Sequence, residues 1–174
     1  YGRLEIPAYR NWHHLHPCCS TGSGAQSLHC YLLRDRPIGI GAEMKLFLCE
    51  KPSQAKDIGK VLCVLDGRFD GYYRKGDVAV TWAFGHILAN AMPDAYGESY
   101  ADFGNISALP LIPTEWKMLV PPKVAKQFKV IKGLLAQAEE VVIATDADRE
   151  GEVIAQEILD YCAYRKRISR FWTS

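Results

Sequence analysis

The segment Glu140-Val141-Val142-Ile143-Ala144-Thr145-Asp146-Ala147-Asp148-Arg149-Glu150-Gly151-Glu152 runs from a β-branched apolar stretch straight into three carboxylates spaced by two. Its length and β-branching predict a buried strand over 140–145. Val153, Ile154, Ile158, Leu159 and Cys162 then recur at helical spacing, so a helix is expected over 153–164, followed by a short strand from Ile168 to Trp172. The same grammar appears upstream. Lys45-Leu46-Phe47-Leu48-Cys49 reads as a strand that stops at Glu50-Lys51-Pro52, and Ser53 is the expected N-cap of a helix through Ala55, Ile58 and Leu62. Asp77–Phe84 reads as a further strand ending at Gly85-His86. Five of the nine prolines fall in 93–122, an extended connection, before a helix over 123–138 that aligns Val124, Phe128, Ile131, Leu134 and Leu135. Strands alternating with helices predict an α/β fold: a mostly parallel sheet flanked by helices, with functional residues at the strands' C-terminal edge.

The 174 residues are 48% apolar, 24% charged and 11% aromatic, with a net charge of +1. These values exclude wholesale disorder, collagen and coiled coil, and any nucleic-acid binding must come from a local patch because the overall field is weak. No stretch approaches the roughly 20 apolar residues of a membrane span, so no membrane partner is expected and the cytoplasm is the expected location. The six cysteines show no C-x-x-C pair and are read as free thiols. Residues 1–43, ahead of and just before the first methionine, Met44, show no sustained period; they are expected to be a tail with little stable structure, or sequence upstream of a start at Met44. His13, His14, His16, Cys18, Cys19 and Cys30 in this tail are zinc-ligand types, but their spacing does not match paired structural zinc ligands.

The acidic triplet carries the chemistry. On extended backbone Asp146 and Asp148 would point the same way about 7 Å apart, suited to a hydrated Mg²⁺; the competing reading is a solvated acidic loop, with Glu150 favouring the first turn of the next helix. Glu50 and Lys51 stand at the same end of the first strand, and a parallel sheet opens both strand ends on one edge, so they are expected to converge with the triplet across about a hundred residues of chain. Carboxylates with Mg²⁺ beside a lysine and Arg149 suit phosphoryl transfer. No G-x-x-x-x-G-K-[ST] loop exists, so a nucleic-acid phosphodiester is the expected substrate and ATP is not. His86 reads either as a DNA-approaching residue or as a hydrogen-bonded structural one, and the lysines at 123, 126, 129 and 132 either as a DNA-facing patch or as a solvated helix face. Trp82, Trp116 and Trp172 are expected in the core.

Leu46-Phe47-Leu48-Cys49-Glu50-Lys51-Pro52-Ser53-Gln54-Ala55, Val80-Thr81-Trp82 with Gly85-His86-Ile87-Leu88, and Asp146 to Glu152 together closely resemble the N-terminal Toprim domain of type IA DNA topoisomerases, especially the bacterial topoisomerase III kind. Pro93-Asp94-Ala95-Tyr96, Leu109-Pro110, Pro113-x-x-Trp116 and Arg170-Phe171-Trp172-x-Ser174 extend the likeness over about 44–174. The resemblance implies a Rossmann-like Toprim domain over 44–174 in which Asp146, Asp148 and Glu150 hold Mg²⁺ with Glu50. Glu50 and Lys51 would be catalytic, with Arg149 in or near the same site; apart from the resemblance, His86, Lys123 and Lys126 are the candidate DNA contacts among the residues read above. The resemblance also implies action on single-stranded regions of DNA, without ATP, through a tyrosine that links to the 5′ phosphate, in bacterial cytoplasm on nucleoid or plasmid DNA. That tyrosine is expected in a later domain of the parent enzyme, because none of the nine tyrosines here has its sequence context, and the isolated chain is expected to be inactive. Ala89 departs from the acidic residue usual after Gly-His-x-Leu. The alternatives are a stand-alone Toprim nuclease or primase-type protein, recognised by metal-dependent nicking, and a non-catalytic metal- or DNA-binding module.

Overall fold

The computed structural model describes residues 43–102 and 104–172, all within the unit Ile38–Ser174. The expectations for residues 1–42, the tail and its histidines and cysteines, lie outside the described residues. Four apolar residues behind Lys45 form β1 (Lys45–Cys49), and a sharp turn leads into α1 (Pro52–Val61). Here the structure corrects the expected cap. Lys51, not Ser53, is the N-cap, because Pro52, whose ring already holds a helical φ and whose missing N–H costs nothing at a helix start, takes the first helical position. Then come β2 (Arg68–Phe69), β3 (Tyr72–Lys75) and β4 (Val78–Trp82), the small β5 (Ala89–Asn90) paired with β6 (Met118–Leu119), and a loop-rich connection carrying three 3₁₀ turns. A further 3₁₀ turn at Pro122–Val124 leads into α2 (Ala125–Gln137), and β7 (Glu140–Ala144), α3 (Arg149–Tyr161) and β8 (Arg167–Arg170) complete the order.

The main sheet runs β2-β3-β4-β1-β7-β8. Its four strands β4, β1, β7 and β8 are parallel, as expected, while β2 and β3 add an antiparallel hairpin at one edge. Alternation along β1 divides the core between the two faces. Leu46 and Leu48 join Val141 and Ile143 of β7 beneath α2 and α3, against Phe128, Ile131, Leu135, Ile154 and Ile158. Cys49, on the opposite face, packs with Ala144, Val78 and Val80 against Ala55 and Ile58 of α1. Each central strand is thus covered on both sides, which is why they read as continuous apolar runs. Val153 departs from its expected core position and is 44% exposed; Trp116 and Trp172 are also exposed, the first edge-on to Tyr96 and the second over the Arg170 guanidinium, whereas Trp82 packs beside the α1-side cluster. Among the described residues no helix is long and apolar enough to cross a membrane.

One buried polar group ties the hairpin to the rest. The Gln127 side-chain amide of α2 donates to the carbonyls of Gly71 (3.0 Å) and Trp82 (2.7 Å) and meets the Thr81 hydroxyl at 3.2 Å; that hydroxyl in turn donates to Gly71. Glycine is required at 71, since a Cβ there would stand 2.4 Å from the Gln127 side-chain oxygen on a backbone with φ of +86°. Removing a partner of buried carbonyls costs their desolvation without return. Gln127→Leu is therefore expected to lower the unfolding free energy by about 1–3 kcal/mol, read from the urea midpoint; an unchanged midpoint would show that the network carries no stability.

Candidate functional site

Register brings the ends of β1 and β7 together. Cys49 pairs with Ala144, so the next residues, Glu50 and Thr145, leave the sheet side by side, with Asp146 one step further. Glu50 is 5% exposed. Its own N–H donates to the Gln54 side chain at 2.9 Å, its carbonyl accepts from Gly85 N–H at 3.3 Å, and its carboxylate accepts from Asp146 N–H at 3.4 Å. A buried carboxylate is costly unless a cation stands beside it. Lys51 supplies that cation: its Nζ lies 3.2 Å from Glu50 Oε1 and 2.7 Å from Asp146 Oδ2, while the Gln54 amide donates to Asp146 Oδ1 at 3.1 Å. Hydrogen bonds from Lys51 to Asp146 and then to Glu50 hold its pKa well above the ordinary lysine value, so the ammonium stays charged at and well above neutral pH. Burial also raises the pKa of the neighbouring Cys49 thiol, which for a thiol means an uncharged packing group.

Asp148 has different work in this geometry. It is the N-cap of α3, its Oδ1 accepting from Gly151 N–H at 2.8 Å. Glu150, in the first turn, extends toward His86, whose Nε2 is 3.9 Å from Glu150 Oε1 and whose Nδ1 is 3.4 Å from Glu157 Oε2. Of the expected acidic triplet, then, Asp146 faces Glu50 while Asp148 and Glu150 are turned to the helix and to His86. Among the described residues no three His, Cys, Asp or Glu side chains are grouped closely enough to hold a metal as they stand. The donors that do meet, Glu50 and Asp146, are oxygen only, the type that suits Mg²⁺ and not a thiophilic ion. Arg149 opens α3, exposed to solvent. Lys123 and Lys126 are exposed at the start of α2, and Lys126 pairs at 2.6 Å with Asp70 in the β2–β3 turn, on the far side of β4 and β1 from Asp146.

Three residues that shape the site had no role assigned from sequence. Gln54, one turn into α1, orients both acids. Arg170, whose side chain is only 15% exposed at the end of β8, donates to the Asp146 carbonyl at 2.8 Å and pairs with Glu152. Gly151 lets the first turn of α3 press against the end of β7: a Cβ there would fall 2.3 Å from the Asp146 carbonyl oxygen, and its own carbonyl accepts from the buried Thr145 hydroxyl at 2.8 Å. A glycine directly after an acidic turn was the visible signal for this contact. Gly151→Ala must push α3 off Asp146, and the expected result is a loss of about 1–3 kcal/mol together with shifted amide resonances at Glu50, Lys51 and Asp146; a variant with wild-type stability and spectrum would show that the close approach is not needed.

The chain is 43% identical over 131 residues to DNA topoisomerase 3 of Staphylococcus epidermidis, covering 74% of this chain and 18% of that protein. It is 44% identical over 119 residues to DNA topoisomerase 3 of Salmonella typhimurium, covering 68% of this chain and 18% of the relative. It is also 41% identical over 131 residues to the Staphylococcus aureus protein of the same name. The chain thus spans 18% of the length of these relatives. A model of the Toprim domain matches residues 45–172. Matched from its first strand to just beyond its last, the chain belongs to the Toprim domain family.

Proposed function

We propose that this chain is the Toprim part, residues 44–174, of a type IA DNA topoisomerase of the topoisomerase III kind, and that it contributes the acidic, Mg²⁺-binding half of a site that cuts and reseals one DNA strand without ATP. The observation that carries the proposal is the meeting of Glu50, Lys51 and Asp146 at the C-terminal ends of two adjacent parallel strands. Of the four acids proposed to hold the ion, Glu50 and Asp146 already meet, and Asp148 and Glu150 would join them by leaving the Gly151 N–H and His86. Mg²⁺ bound there would neutralise phosphate charge and orient the phosphodiester. Lys51 hydrogen-bonds a non-bridging phosphate oxygen as charge builds on it, and Glu50 exchanges the proton that the leaving 3′ oxygen needs. Arg149 and His86, both exposed on the same edge, approach the DNA backbone, and Lys123 and Lys126 contact it further along.

The nucleophilic tyrosine comes from another part of the protein. Tyr72 and Tyr73 lie in the hairpin, Tyr96 packs on Trp116, and Tyr161 stacks edge-on against Phe128. Tyr164 reaches the Ala138 carbonyl ahead of β7, at the opposite edge of the sheet, where burial and then Glu139 and Glu140 push its pKa up to about 12, so its phenol is neutral. The substrate is a single-stranded region of DNA, the partners are the remaining domains of the parent enzyme, and the place of action is nucleoid or plasmid DNA in the bacterial cytoplasm.

Titrating the chain with Mg²⁺ while following amide resonances is expected to shift Glu50 and residues 146–150, and these shifts should vanish in a folded Asp146→Ala, Asp148→Ala double variant. Identical responses in both proteins would sink the metal assignment. Incubated alone with supercoiled plasmid and Mg²⁺, the chain is expected to leave the topoisomer distribution unchanged. A DNA–protein adduct that survives denaturation, formed by this chain by itself, would overturn the assignment of the nucleophile to another segment.

A further inference from the structure

We propose that the Lys51 ammonium is the resident counter-cation of the Glu50–Asp146 pair and that a divalent ion displaces it, so that metal loading is what frees Lys51 to bind phosphate. The inference rests on the reading of this site as a Mg²⁺ site and adds to it an order of events. Its basis is the position of Nζ, 2.7 Å from Asp146 Oδ2 and 3.2 Å from Glu50 Oε1, between the two acids that the sheet register brings together. A Mg²⁺ ion demands carboxylate oxygens at about 2.0–2.1 Å. An ammonium already bonded to the same two acids leaves no room for it, and two cations in contact repel each other. One of them must leave.

Lys51 is the partner built to move. Glu50 is buried and tethered at its N–H by Gln54, at its carbonyl by Gly85 and at its carboxylate by the Asp146 N–H. Asp146 is held at its carbonyl by Arg170 and at Oδ1 by Gln54. The Lys51 side chain, by contrast, is 54% exposed and among the described residues its ammonium is bonded to the two acids alone, so breaking those bonds releases it to solvent. Its backbone is the N-cap of α1, so the freed ammonium swings about a fixed point at the strand edge and stays within a side chain's length of the ion that replaced it. Without metal Lys51 offsets only part of the acids' charge and is itself sequestered between them. With metal the same edge gains a divalent charge and a free lysine together, and both favour a phosphodiester.

The test uses the whole chain and Mg²⁺ alone as the probe. Mg²⁺ affinity is measured by amide-resonance titration in the wild type, in Lys51→Gln and in Lys60→Gln, the last removing an equal charge from an exposed pair with Asp57 on the same helix. The Lys51 side-chain ammonium signal of ¹⁵N-labelled protein is followed in parallel. Lys51→Gln is expected to bind Mg²⁺ roughly tenfold more tightly than the wild type, Lys60→Gln to match the wild type, and the Lys51 ammonium signal to lose its hydrogen-bonded character as wild-type protein saturates. Equal or weaker binding by Lys51→Gln, equal tightening by both variants, or a hydrogen-bonded Lys51 signal that persists at saturation would each overturn the exchange while leaving the metal site standing. Absence of any Mg²⁺ response at Glu50 and Asp146 in all three proteins would instead remove the metal reading, and the exchange with it.

Discussion

Two carboxylates at the ends of neighbouring parallel strands are the constraint around which this site is organised. Parallel pairing of β1 with β7 in the Cys49–Ala144 register sets Glu50 and Asp146 against each other although 96 residues separate them. Like charges so placed, one of them buried, repel each other unless a cation lies between them. Lys51 meets that need from the very next position after Glu50, and the helix that begins at Pro52 brings Gln54 back to hold both acids in place. Strand, turn and helix therefore supply the acid, its counter-charge and its orienting amide within five consecutive residues.

The opposite half of the site is built by close packing. Thr145 and Gly151 bring the α3 backbone against the end of β7, Asp148 closes the first turn of that helix, and Arg170 reaches in from β8 to take the Asp146 carbonyl. These contacts explain why an apparently solvated acidic run holds one fixed shape. They also divide the labour among its three acids: Asp146 faces Glu50, Asp148 serves the helix, and Glu150 turns to His86.

Much of the architecture was legible because the central strands are covered on both faces. Leu46, Leu48, Val141 and Ile143 had to be apolar beneath α2 and α3, and Cys49 and Ala144 had to be so against α1, which left unbroken apolar runs that end at their charged residues. The β2–β3 hairpin was not legible. Arg68, Phe69 and Tyr72–Lys75 bury little and carry three aromatic and three basic side chains, so no period-2 signal stands out, and the hairpin is held instead by pairing with β4 and by Gln127 reaching Gly71. Gln127 itself sits among apolar residues of α2 and looks, in sequence, like one polar residue of a helix face. Trp116 and Trp172 misled for a related reason: a tryptophan beside an apolar run is expected inside, yet here each finds a single ring or guanidinium partner at the surface.

What the sequence determined by itself was local and periodic: where the central strands and the three helices lie, that those central strands are parallel, and that Glu50, Lys51 and the acidic triplet leave the sheet at the same edge. These follow from hydrophobic period and from the rule that parallel strands share an open end. Which acid meets which, and through what partner, was decided only by tertiary structure. That choice depends on a strand register, on the absence of a Cβ at Gly151 and on the reach of Arg170 from β8, contacts that exist only once the strands and α3 are packed together in space.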